Sequence, residues 1–75
     1  MLLPNKLFSY HESILAKLPV ILRILKKHPC GVRELYLEVT PNFSGVVEYQ
    51  EALDCLYALE AIDYDESCEV LYCVI

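Results

Sequence analysis

After Arg33 the sequence contains no lysine and no arginine. Phosphate backbones are held by Lys and Arg side chains that neutralise them, so the larger part of this 75-residue chain is a poor nucleic-acid surface. Glycine is almost as scarce: the two residues, Gly31 and Gly45, both fall in expected turns, and neither belongs to a phosphate-cradling loop. Cys30, Cys55, Cys68 and Cys73 include no CxxC pair. A zinc site built from them with His28 therefore has no ligand spacing behind it, and they are expected as small core hydrophobes. The opening MLLPNKLF lacks a basic stretch followed by a sustained apolar one, so no secretory signal and no disulfide framework are expected. No run approaches the ~18–20 apolar residues of a membrane span. The longest apolar-periodic segment, residues 14–25, is interrupted by Lys17, Pro19 and Arg23. A cytoplasmic protein with no membrane partner is the expectation.

What is present is apolar and segregated by charge. Hydrophobic residues make up 56% of the chain, above the roughly 45–50% of ordinary globular proteins. A domain this small buries only about 60% of the surface its unfolded chain exposes. Either the core is tight and Leu-rich, or a partner covers part of the apolar surface. All six basic residues lie in the first 33 positions, opposed there by Glu12 alone, whereas ten acids follow from Glu34 onward. Such asymmetry bears on partners and steering rather than on fold.

The periodicities predict three helices and a hairpin. Residues 1–8 read as an extended arm, because Pro4 disfavours helix at Leu3. Ser9 and Glu12 form a capping box that would open the first helix. Ile14, Leu15, Leu18, Ile21, Leu22 and Leu25 make its apolar stripe, Pro19 interrupts its hydrogen bonding, and Pro29 ends it. Val32, Leu35, Tyr36 and Val39 define a short second helix, and TPNFSG a loop. The third helix runs from about Val46 to Leu59. Val46, Tyr49, Leu53, Leu56 and Tyr57 form its stripe, with Glu48, Gln50, Glu51 and Asp54 opposite. From Ile62 the period falls to two, giving strands on either side of an acidic turn.

The last strand is apolar on both faces: Val70, Tyr72 and Val74 on one, Leu71, Cys73 and Ile75 on the other. A small core can meet only one of them, so the other wants external cover. The fold class is thus mainly α with a C-terminal β-hairpin, a single winged helix-turn-helix-like domain over residues 1–75. The alternative is a three-helix bundle whose last strand pairs with another chain, including a second copy.

Winged-helix order raises the question of DNA. The third helix and the hairpin carry acids and no base, so they would repel phosphate. Only Lys17, Arg23, Lys26 and Lys27 of the first helix offer a nucleic-acid contact, and such residues are as easily a solvated face. Catalysis has little to build on. His11 and His28 lie at opposite ends of one helix, and no pocket is implied around any carboxylate pair. No catalytic residue, metal or cofactor is expected.

The stretches MLLPNK (1–6), GVRELY (31–36) and ALDCLYALEAI (52–62) resemble the roughly 75-residue middle components of prokaryotic ABC-three component systems. The similarity covers nearly the whole chain. Two positions depart from the family pattern: Glu60 stands where the family has Gly, and Tyr36 where it has Trp. The resemblance implies a non-enzymatic subunit that bridges or braces an SMC-like ABC ATPase and an effector subunit in antiviral defence. Tyr rings are favoured where one end is buried and the other wet. Together with the arm and the two-faced strand, this nominates Leu2, Leu3, Pro4, Lys6, Phe8, Tyr10, Tyr64, Leu71, Tyr72, Cys73 and Ile75 as candidate partner-binding residues.

Overall fold

The computed structural model describes residues 4–75, with side chains described from Ser9 onward. Helix α1 spans Pro4–Lys27, α2 Val32–Val39 and α3 Val46–Ala58, followed by strands β1 (Ile62–Asp65) and β2 (Val70–Cys73). A 3₁₀ turn over Thr40–Asn42 joins α2 to the loop before α3.

Helix α1 begins at Pro4, not at Ser9, so residues 4–8 are helical rather than an extended arm. Proline is suited to a first helical turn: its fixed φ matches the helix, and the N–H it lacks would have had no partner there. Ser9 and Glu12 therefore lie inside the helix, and the capping-box reading fails. Ile14, Leu18, Ile21 and Leu25 are buried at spacings of four and three and form the core side of α1. Leu15, expected on the same stripe, is 56% exposed. Pro19 lies on the exposed side of α1, where solvent can satisfy the carbonyl it leaves unpaired. Lys26 and Lys27 occupy the last turn, where cations complement the helix dipole.

Between α1 and α2 the chain makes one β-bridge. Cys30 N–H donates to the Leu71 carbonyl at 3.1 Å, and Leu71 N–H returns a bond to the Cys30 carbonyl at 2.7 Å. β1 and β2 pair antiparallel, with Tyr64 opposite Leu71 and Asp63 opposite Tyr72. The order helix, bridge, helix, helix, hairpin is compatible with a winged-helix-like fold. It places β2 between β1 and Cys30, so the last strand meets its own chain on both edges at Leu71.

The core closes around Tyr49. Its ring lies 4.8 Å from that of Tyr36 and 5.8 Å from that of Phe43, between centroids. Its hydroxyl donates to the Val32 carbonyl at 2.6 Å. Burial pushes the Tyr49 phenol up to about 12, so it stays a neutral donor. Leu35, Val39, Ala52 and Leu56 complete this layer.

Two turns rest on left-handed residues. After Leu59, Glu60 N–H bonds the Tyr57 carbonyl and Ala61 N–H the Leu56 carbonyl, each at 3.0 Å, with Glu60 at φ 60°. That pair of bonds is a Schellman motif, which reverses the chain out of α3 and into β1. In the hairpin turn, Asp65 Oδ1 accepts from Ser67 N–H (2.9 Å) and Cys68 N–H (3.2 Å), and Glu69 (φ 56°) leads back into β2.

Candidate docking surface

The hairpin resolves which face of the last strand lacks cover. Leu71 is 6% exposed and Cys73 half-buried against the core, so this side is met by the chain's own helices. Leu71 is thereby withdrawn from the candidate partner-binding residues. The opposite side carries Val70, Tyr72 and Val74, of which Tyr72 and Val74 are exposed. Ile75 lies past the end of β2 and is exposed as well. Asp63 and Asp65 stand opposite Tyr72 and Val70. The uncovered face is therefore apolar towards the C-terminus and acidic along β1.

The outer edge of β1 is guarded. Leu71 turns its backbone groups towards Cys30, so Tyr64, its cross-strand neighbour, turns its own away from β2. Asp63 Oδ1 accepts that outward Tyr64 N–H at 2.7 Å. A carboxylate on the edge donor discourages another strand from adding there.

On the other side of the hairpin, a groove of about 350 Å³ runs between α3, the start of α2 and β1. Val32, Val46, Leu53, Tyr57, Ile62 and Tyr64 line it, with Gln50 and Asp54 among them. Val32, Val46, Tyr57 and Tyr64 are exposed, Tyr57 to 60%. Tyr57 was expected in the core by its place on the α3 stripe. The hairpin packs beside α3 rather than over it, which leaves the ring uncovered.

The basic candidates separate. Lys17 forms an ion pair with Glu48 and sits 5.4 Å above the Phe43 ring, so its ammonium is engaged within the chain. Glu48, expected on the solvated side of α3, is 6% exposed and also accepts the Ser44 N–H at 3.1 Å. The Lys17 hydrogen bond, reinforced by the Ser44 N–H, holds its carboxyl below the usual range against the opposing effect of burial. Arg23, Lys26 and Lys27 are exposed near the end of α1.

Tyr10 donates to Glu51 Oε2 at 2.8 Å, tying α1 to α3, and this bond raises its phenol pKa. Leu2 and Leu3 lie outside the described residues, as do the side chains of Pro4, Lys6 and Phe8. Cys68, expected as core filler, is exposed in the hairpin turn. Cys30 Sγ lies 3.3 Å from His28 Nδ1, and no group of three His, Cys, Asp or Glu converges among the described residues. No helix among the described residues is long and apolar enough to cross a membrane.

The model of middle component 7 of the ABC-three component systems matches residues 3–71, nearly the full length. The chain belongs to that family. No curated protein and no solved structure matches it. In this middle component Glu60, which departs from the Gly of the sequence resemblance, adopts the left-handed conformation at the helix exit. Tyr36, at the Trp position of the resemblance, packs against Tyr49 with the rings tilted by 45°, and so joins the aromatic cluster between α2 and α3. The groove along α3 escaped sequence reasoning because Val32, Val46 and Tyr57 each fit a helical stripe.

Proposed function

We propose that this middle component is a non-catalytic subunit that docks on the SMC-like ABC ATPase or the effector subunit of its system, within an antiviral defence complex. Family membership supplies the setting. The observation that carries the docking reading is the apolar surface left over once the core is complete: Tyr72, Val74 and Ile75 at the C-terminus, and the groove along α3. Exposed apolar patches beyond scattered single residues mark interaction surfaces. Tyr72, Val74 and Ile75 form one proposed contact, and Tyr64 belongs to the groove on the other side of the hairpin.

The test is co-expression of the tagged chain with the ATPase and effector subunits of its system, followed by purification. Co-elution with either subunit is expected. A chain that elutes alone and monomeric, with no apolar patch detected by dye binding, would overturn the reading. A second reading places a nucleic-acid contact at Arg23, Lys26 and Lys27, the exposed cations near the end of α1. It predicts salt-sensitive DNA affinity that weakens when Lys26 and Lys27 are neutralised.

A further inference from the structure

The groove along α3 differs in kind from the C-terminal patch: it is concave and mainly apolar, and the one charged side chain among the described residues that line it is an acid. Asp54 lines it directly. Next to Val32, at the start of α2, Glu34 Oε1 lies 3.1 Å from where a Gly31 side chain would begin. No Lys or Arg is among the described residues that line it, and none follows Arg33 in the chain. An occupant with its own acids would meet repulsion at Asp54 and from Glu34 beside the start of α2, whereas one with Lys or Arg flanking its apolar residues would be complementary.

The shape narrows the occupant further. A strand adding to β1 would need the outward Tyr64 N–H, and Asp63 already holds it. The floor instead offers apolar side chains along one flank of the 13-residue helix α3. That is the setting in which an amphipathic helix lays anchors spaced three, four and seven residues apart into a groove. A volume of about 350 Å³ accommodates such anchors, being at the lower end of clefts that hold small ligands.

We propose that this groove receives a basic amphipathic helix of a partner subunit, with apolar anchors on Val46, Leu53, Tyr57 and Tyr64 and a Lys or Arg residue facing Asp54. The assignment rests on the docking reading above and names a site and a partner chemistry for it.

The experiment uses the full chain, with Val46 and Asp54 both changed to Lys; both residues are exposed, so the fold should persist, which far-UV circular dichroism checks. Binding to the separately purified ATPase and effector subunits should weaken at least about tenfold relative to the unaltered chain. Raising the salt should weaken the unaltered complex. Peptides tiled across the two subunits, titrated into isotope-labelled chain, should shift the amides of Val46, Leu53, Tyr57 and Tyr64 only when their apolar residues are flanked by Lys or Arg. Undiminished binding by the double variant, shifts produced by acidic peptides, or a self-associating chain dispersed by the Val46 change would each overturn the groove assignment while leaving docking elsewhere intact. If the unaltered chain binds neither subunit, the docking reading falls and takes the groove assignment with it.

Discussion

Replacing Glu60 with Gly should stabilise this protein. Glu60 holds the left-handed position of the Schellman turn at φ 60°, where an L side chain costs about 1–2 kcal/mol that glycine does not incur. Glycine in turn loses more freedom on folding, which offsets about 0.4–1 kcal/mol. A carboxylate at the end of α3 also opposes the helix dipole, a further exposed-site penalty of about 0.3–1 kcal/mol. The net expectation is a gain of about 1 kcal/mol. For a domain of this length that corresponds to a rise of about 4–8 °C in Tm. Urea denaturation followed by circular dichroism, at unchanged slope, gives the free energy. Two companions separate the contributions: Glu60→Gln removes only the charge, and Glu60→Ala removes the charge and the long side chain but keeps Cβ. The expected order of stability is Gly above Gln and Ala, with Glu lowest. If Glu60→Gly is no more stable than Glu60→Ala, residue 60 is not left-handed and the account of the helix exit is wrong.

Breaking the Lys17–Glu48 pair by Glu48→Gln should cost about 1.5–3 kcal/mol, as for hydrogen bonds to charged groups, and Lys17→Met should cost less after Glu48→Gln than before it. The Glu48 carboxyl is held below its unfolded value of about 4.3, so its contribution is complete above that pH and is lost as pH falls through the folded value. Acid titrations of stability should therefore show a drop below about pH 4.3 that Glu48→Gln lacks. Tyr49 behaves oppositely: its stabilising share is complete below the unfolded phenol value of about 10 and is lost as pH rises towards about 12. Tyr49→Phe should remove that alkaline loss at a cost of about 0.5–1.5 kcal/mol for the bond to Val32, read from denaturation at neutral and alkaline pH. Tyr72→Asp should release a partner subunit in co-purification without altering the circular dichroism spectrum, because Tyr72 points away from the core; lost helicity in this variant would contradict that placement.

The elements were legible in the chain because each is short and has its own period. Val32 to Val39 carries a complete helical pattern, and Ile62 begins a strict alternation that no helix could bury. Local signals failed where a distant residue decided the outcome. Glu48 looked solvated among Gln50, Glu51 and Asp54, yet Lys17, 31 positions away, brings it inside. Lys17 itself looked like part of a basic face. Leu15 and Tyr57 fit their stripes, yet they stay 56% and 60% exposed, because a period marks a face and not how much of it a neighbour covers. Ser9 and Glu12 spelled a helix start, but Pro4 was already suited to one. The exposed face of the last strand was foreseen as one of two, and the burial of Leu71 and Cys73 against the core decided between them.

The central claim is that apolar surface which this chain leaves uncovered is buried by a protein partner. Backbone hydrogen exchange on the free chain and on the assembled complex tests it most directly. The account predicts new protection in the complex at residues 70–75 and along α3 and Tyr64, with the end of α1 around Arg23, Lys26 and Lys27 unchanged. Protection confined to the end of α1, or none anywhere, would contradict it.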